Sequence, residues 1–304
     1  MMRSMGQPQT GIFALGTASH AYLEFDAHGN AGEALVRAVA SLREPRTTMG
    51  GVNLVAGFRP ELWRSSAPDD APQAVGFDEE IVGVDVYTMP ATQHDAMLWL
   101  SGSAYDVVFD TARAAIAELE PLAAVAEETS SWPYHHDRDL TGFIDGTENP
   151  TLLDAPDVVL IPDGSPGAGG TILLLQKWIH DSQAWESLSV EKQELVIGRR
   201  RSDSVELDPR PDDSHVAITD QDRFGKIFRR NMPFGTVTVH GTMFVGFSAD
   251  QQRLVAMLES MAGLSTGTPD ALTAFARPVT GAYYLVPSSD ALRRWVADES
   301  DDRL

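Results

Sequence analysis

The chain has 304 residues, 43% hydrophobic and 22% charged, enough for one large domain or two medium ones with real cores. A formal net charge of −21 argues against nucleic acid or an anionic membrane surface as the main partner, because a polyanion would be repelled. With no cysteine, disulfides, thiolate-ligated iron and cysteine nucleophiles are excluded. The opening MMRSMGQPQTGIFALG lacks the apolar stretch of a signal peptide, and no apolar run approaches the roughly 18 residues of a membrane span. The expectation is a cytoplasmic protein.

In chain order, AYLEFD (21–26) reads as a strand, GEALVRAVASL (32–42) as an amphipathic helix and GVNLVAGF (51–58) as a strand. AMLWLSG (96–102) alternates large apolar residues like a buried strand. The next segment sets Val108, Ala112, Ala115, Ile116 and Leu119 on one helical face. Strand, helix, strand, strand, helix is close to the split βαβ order of a ferredoxin-like domain. From about 121 to 168 the chain is rich in Pro, Gly and Asp, has no sustained period, and reads as a long connection.

Beyond it, GGTILLLQKW (169–178) reads as a strand and DSQAWESLSVEKQELVIG (181–198) as mostly helical, with 199–213 charged and Pro-containing. SHVAI (214–218) and GTVTVHG (235–241) read as shorter strands. TMFVGF (242–247) is another, followed by a helix with Leu254, Leu258 and Met261 on one face. Both strand–helix units carry a capping-box pattern, Ser103 to Asp106 and Ser248 to Gln251, which predicts matching helix starts. This repetition predicts an α+β protein of two related modules. The organisation predicted is 1–130, a connection 131–168, and 169–304, with a frayed charged tail at 297–304.

Three clusters could carry chemistry. In GFIDGTENP (142–150), two glycines bracket Ile144 and Asp145. Asp-Gly and Asn-Pro are ordinary turn formers, but an aspartate set by a rigid turn beside Phe143 and Ile144 could also act as a desolvated general base. His215, in SHVAI, reads either as a satisfied core or edge histidine or as a ligand. None of the eight histidines forms an HExxH, HxH or HxxxH zinc pattern with a carboxylate neighbour, and the adjacent His135 and His136 would point to opposite sides of an extended segment. In IFRRNMPFG (227–235), Arg229, Arg230 and Asn231 lead into a turn. Those arginines suit surface ion pairs or, alternatively, a guanidinium aimed at developing negative charge.

Taken together, the segments resemble the dye-decolorizing peroxidases, in particular the smaller bacterial enzymes called B-type. The resemblance runs through PQTGIF, TQHDAMLWL, RDLTGFIDGTENP, GGTILLLQKWIHDSQAW, QELVIGRR, SHVAI, IFRRNMPFG, GTMFVGFS and FARPVTGAYYLVP, in order over nearly the whole chain. It implies tandem duplicated ferredoxin-like domains with antiparallel sheets and haem b in the C-terminal half. His215 would be the proximal iron ligand. Asp145 would be the distal carboxylate, with Arg229 and Asn231 as the Arg-x-Asn pair and Arg230 in the variable position between them. The interval from His215 to Arg229 is a few residues shorter than the family pattern, and 219–226 absorbs the difference. Arg199 would face a haem propionate, Asp270 would accept the proximal His N–H, and Met243 and Phe244 would pack near the porphyrin.

The implied activity is reduction of hydrogen peroxide with oxidation of dyes, phenols or other small-molecule reductants through a ferryl intermediate. Asp145, Arg229 or a water between them would move the proton. Trp132, Tyr134, Trp178 and Trp185 are candidates for passing electrons from substrates too large for the pocket. Removal of iron from haem, or a non-catalytic haem carrier or sensor, would also need His215, but neither obviously needs the distal set. The resemblance further implies a homo-oligomer. The C-terminal sequence shows no Gly/Leu-rich targeting tail, so packaging as nanocompartment cargo is not expected.

Overall fold

A computed structural model describes residues 6–42, 51–135 and 137–296. The predicted tail at 297–304 and His136 lie outside them. In the first half, strands β1 (Ser19–Ala27), β2 (Val52–Phe58), β3 (Ala96–Gly102) and β4 (Ala123–Ser131) form an antiparallel sheet in the order β2-β3-β1-β4. Helices α1 (Gly32–Ser41) and α2 (Tyr105–Leu119) complete a ferredoxin-like βαββαβ unit. All seven residues of β3 are buried, because this central strand has a packed layer on both faces. Only Val108, Ala112, Ala115 and Leu119 of α2 are buried, the one face predicted from spacing, with Ile116 partly buried beside them.

β4 lies within 121–168, where composition predicts an irregular connection. Its pattern AAVAEETSS carries two glutamates and small residues, so no apolar alternation marks it. Pairing with β1 from His20–Ser131 to Ala27–Ala123 makes it a strand.

The second half repeats the topology with more irregular parts. Its strands are β5 (Thr171–His180), β6 (Phe228–Arg229), β7 (Met232–Gly235), β8 (His240–Ser248), β9 (Ala276–Pro278) and β10 (Ala282–Val286). Its helices include α3 (Val190–Ile197), α4 (His215–Ile218), α5 (Gln251–Met261) and α6 (Ser289–Val296). β5 pairs with β8 on one side and with β9 and β10 on the other, while β6 and β7 share the far edge of β8. Each split pair does the work of one edge strand, which restores the four-strand ferredoxin-like order.

The two sheets also join at both edges, Leu285 to Phe58 and Ser131 to Phe234. The ring is therefore closed, which among the described residues leaves only its short strands β6 and β9 with an unpaired side. Tyr22, Trp99, Leu173, Leu175, Val245, Phe247 and Tyr284 fill the space between the sheets. The helices pack on the outer faces, where Leu23, Phe25, Leu98 and Leu100 meet α1 and α2.

Several local expectations are corrected. SHVAI is a helical turn, α4, rather than a strand. GTVTVHG is the tip of a hairpin in which Gly235 pairs with His240. IFRRNMPFG supplies two short strands rather than a turn. Neither capping box forms. The cap of α2 is Ala104, without a side-chain bond, and that of α5 is Asp250, whose carboxylate accepts the Gln252 N–H. Ser248 bonds the backbone of Asp250, and Gln251 reaches across to the backbone of Val75. At α5 a tertiary partner of Gln251 outcompetes the local box, and at α2 the Asp106 carboxylate accepts the neighbouring Val107 N–H instead.

Candidate active site

Between the outer face of the second sheet and α5, the packing opens into a cavity. Leu174, Phe244, Leu254, Met257, Leu258 and Met261 make its walls apolar, and a limited set of polar groups converges on it.

His215 begins α4 and lines this cavity. Its Nδ1 lies 2.6 Å from Oδ2 of Asp270, whose side chain is fully buried. Asp270 is itself held, because Oδ1 accepts the Leu272 N–H at 2.9 Å as the cap of a 3-10 turn. Burial alone would press the imidazole pKa down, but the charge and hydrogen bond of Asp270 outweigh it and the pKa is raised. With Nδ1 donating to Asp270, Nε2 is the lone-pair nitrogen left for a metal.

Asp145 is set by the turn that the two glycines make possible. Gly142 has φ +88 and Gly146 φ +74, left-handed backbone that favours glycine, and a Cβ on Gly142 would meet the Arg201 guanidinium. Phe143 anchors the turn in a small apolar cluster with Trp185 and Ile197, and Trp185 donates to the Thr141 carbonyl at 3.0 Å. The Asp145 N–H is tied to the Asp137 carbonyl at 2.8 Å, and Oδ1 accepts the Gly146 N–H at 2.6 Å. The carboxylate is 24% exposed, with Oδ1 3.9 Å from an Arg229 guanidinium nitrogen.

Arg229 and Asn231 both line the cavity, while Arg230 turns the other way. Extended backbone sends alternate side chains to opposite faces. Arg230 accordingly enters the space between the sheets, 5.3 Å over the Trp99 ring, and donates to the Ile12 carbonyl at 3.0 Å. Neither arginine serves a surface ion pair. Asn231 accepts the Val245 N–H through Oδ1 at 2.9 Å, which leaves its amide N–H groups for the cavity.

The same alternation corrects one expectation. Met243 is 1% exposed and packs between the sheets, away from the cavity, whereas Thr242 and Phe244 face it. Trp185 is likewise buried rather than superficial, at 4% exposure, and Trp178 is buried in the cavity wall. Trp132 is exposed and Tyr134 half-buried. Arg199 reaches the cavity already engaged: its guanidinium binds Glu148 at 2.5 Å, Glu206 at 2.7 Å and the Ser204 carbonyl at 2.8 Å.

Among the described residues, no group of three or more His, Cys, Asp or Glu could hold a metal ion by itself. A porphyrin supplies four nitrogens of its own and would ask the protein for one further nitrogen, and His215 carries a free Nε2 on a residue that lines the cavity. Buried polar atoms without partners point the same way. Among the described residues, both amide atoms of Gln176, the indole nitrogen of Trp178 and Nε of Arg199 and Arg229 belong to residues lining the cavity, while six further such atoms, including the hydroxyls of Tyr22 and Ser131, lie elsewhere. Such groups are costly unless something else meets them. The residues present fit a large, flat, mostly apolar group with polar margins.

A family model described as Dyp-type peroxidase, C-terminal, matches residues 136–291, about half of the chain. A dye-decolorizing peroxidase of Brevibacterium linens is 37% identical over 252 residues, 79% of this chain and 68% of that one. The chain belongs to the dye-decolorizing peroxidase family. A further member, from Mycobacterium tuberculosis, is 35% identical over 268 residues, 85% of this chain and 78% of that one. Among solved structures, a variant of DypB from Rhodococcus jostii RHA1 in complex with heme superposes with a TM-score of 0.85 at 32% identity, covering 95% of this chain and 99% of that chain. A dye-decolorizing peroxidase from Bacteroides thetaiotaomicron gives 0.86 at 29% identity, covering 95% and 98%.

Three groups in this dye-decolorizing peroxidase site were not singled out from sequence. Gln176 is fully buried with an unpartnered amide, and only its place in an otherwise apolar strand, TILLLQKWIH, signals it. Asp139 lines the cavity. Burial raises its pKa to about 6, against the opposing hydrogen bonds from the Thr141 hydroxyl and N–H. Asn149 bonds the backbone of Arg229 from 80 residues away, which local spacing cannot reveal.

Proposed function

We propose that this protein is a haem peroxidase in which His215 holds the iron and Asp145, Arg229 and Asn231 handle hydrogen peroxide. The observation that carries the reading is one cavity lined both by a histidine paired to a buried carboxylate and by an Asp–Arg pair 3.9 Å apart. Haem b, when bound, supplies the redox-active iron at which the O–O bond is cleaved and from which oxidising equivalents pass to a dye, phenol or other small-molecule reductant.

Each residue then has a defined task. His215 binds through Nε2, and Asp270 fixes the ring plane and strengthens its donor character. Asp145 accepts a proton from one peroxide oxygen and returns it to the other, which converts the leaving oxygen to water. The Arg229 guanidinium, always protonated, stabilises negative charge that develops on the departing oxygen. Asn231 offers amide N–H donors to the same space. Arg199 keeps one free Nε for a propionate, while Glu148 and Glu206 both hold its Nη2 and the Ser204 carbonyl holds its Nη1. Phe244 supplies apolar wall.

No helix among the described residues is long and apolar enough to cross a membrane. A cytoplasmic location and self-association belong to this reading and are checked by cell fractionation and light scattering.

The test mixes haem-loaded protein with one equivalent of peroxide and follows the haem spectrum in a stopped-flow instrument. Fast change in the native protein, slow change in Asp145→Ala or Arg229→Ala, and no haem retention in His215→Ala is the expected pattern. Haem held through His215 that peroxide only bleaches would favour a carrier or an iron-removing enzyme, and a chain that takes up no haem would end the reading.

A further inference from the structure

The catalytic pair comes from two segments that no regular element holds together. Asp145 sits in the 142–150 turn, and Arg229 ends β6, a strand of two residues whose ladder partner is β8 through Arg229–Gly246 and Phe228–Phe247. Along this edge the Arg230 N–H faces β8 and donates to the Val245 carbonyl at 2.8 Å. The N–H and C=O of Arg229 consequently face away from β8, where a strand end is usually left open. Asn149 takes both. Its Oδ1 accepts the Arg229 N–H at 2.8 Å and its Nδ2 donates to the Arg229 carbonyl at 2.8 Å. One side-chain amide thus substitutes for the missing neighbouring strand, which asparagine can do because it carries a donor and an acceptor in one rigid plane.

The other end of the clamp is equally fixed. The Asn149 N–H donates to the Gly146 carbonyl at 2.9 Å, and Pro150 restricts the residue before it to extended backbone. A Cβ on Gly146 would lie 2.9 Å from Nδ2 of Asn149, so the glycine next to Asp145 also leaves room for the amide. Asp145 and Asn149 belong to one tight turn, and Asn149 ties that turn to the residue whose guanidinium Asp145 faces.

We propose that Asn149 is a positioning residue that sets the separation of Asp145 and Arg229, and through it the proton transfer at the distal side of the site. Asn149 is not among the residues that line the cavity, so it acts through its hold on Arg229. The inference rests on the haem peroxidase reading and deepens it.

The test uses the haem-loaded protein and cyanide, which binds ferric haem without turnover but must lose a proton to a base and be met by a hydrogen-bond donor. Asn149→Ala removes both bonds. Asn149→Asp keeps the size and the acceptor but faces the Arg229 carbonyl with an oxygen, and it guards against misfolding of the alanine variant. Both are expected to slow cyanide association by about 10- to 100-fold, the scale of a misplacement of up to about 1 Å, and to change its pH profile. Haem content and the iron–imidazole stretching band of the ferrous protein should stay native, because His215 and Asp270 are untouched. In an Asp145→Ala background, Asn149→Ala should slow cyanide no further.

Cyanide rates within two-fold of native with an unchanged pH profile would overturn the proposal. So would full additivity with Asp145→Ala, or haem loss and an altered imidazole band in both variants, which would make Asn149 a residue of general stability. A native protein that retains no haem overturns the functional reading and this proposal with it, and that outcome is visible before any variant is made.

Discussion

The two halves share one topology and use their outer sheet faces differently. In the first half, Leu35, Val36 and Val39 of α1 and the buried face of α2 close tightly over Leu23, Phe25, Leu98 and Leu100. In the second, the corresponding face carries Gln176, Trp178, His180, Thr242 and Phe244, and α5 covers it only in part. The segment that is a single compact helix in the first half is spread from Ser182 to Phe224 as short pieces, one of which delivers His215. A duplicated scaffold has kept one copy as packed core and opened the other into a site. Packing was relinquished where binding was required.

The largest effects should fall on the open half and on chemistry. Asp145→Ala and Arg229→Ala should each slow the peroxide reaction by about 10²–10⁴-fold, the usual worth of a positioned proton-transfer group. Core substitutions in the first half, well away from the cavity, should leave that rate within two-fold in stopped-flow traces. If a first-half change such as Leu98→Ala slows the peroxide step as much as Asp145→Ala does, the functional division between the halves is wrong.

Stability should divide the other way. Leu98 has no exposed surface in the closed half, so Leu98→Ala should cost about 2–5 kcal/mol in urea unfolding. Gln176→Leu in the open half removes two unpartnered buried atoms and should leave the haem-free protein as stable as native or up to about 1–3 kcal/mol more stable. A loss at position 176 comparable to that at 98 would show that the cavity wall is packed like the core.

The first half also contains a pH-sensitive group. Burial raises Glu24 to about 7, against the hydrogen bond from the Tyr284 hydroxyl at 2.5 Å. An acid whose folded pKa is raised binds its proton more tightly when folded. Its contribution is therefore complete at low pH and is lost as pH rises from its unfolded value near 4.5 through about 7. Glu24→Gln should remove this fall, gaining on the order of 3 kcal/mol relative to native at pH 8 and little at pH 4, by denaturant titration. A gain that is the same at both pH values would reject the assignment.

The smallest effect concerns the cover of the cavity. Asp250 caps α5, and Asp250→Ala should cost about 1 kcal/mol by thermal melting. Ser103→Ala in the first half, at a box that does not form, should cost nothing measurable.

The amphipathic period of α2, the apolar alternation of β3 and the chain-long match of motifs made the duplicated fold and the residues His215, Asp145, Arg229, Asn231 and Asp270 legible from sequence. Alternation also explains, after the fact, why the Arg-x-Asn pair shares a face and why Arg230 does not. Met243 departs from the expectation because a sequence shows that residues alternate but not which face is the cavity. β4 escaped notice because its strand character comes from pairing with β1, not from its own composition.

The sequence by itself determined the class of chemistry. It supplied a candidate histidine ligand, an acid and a guanidinium, and lacked any cysteine to compete with them. The tertiary structure alone decided their geometry: the Asp270 carboxylate beneath His215, the 3.9 Å between Asp145 and Arg229, and the amide of Asn149 that spans 80 residues to tie them. Local spacing encodes periodicity along one element, whereas a hydrogen bond between distant segments exists only after the sheet has closed and brought their backbones together.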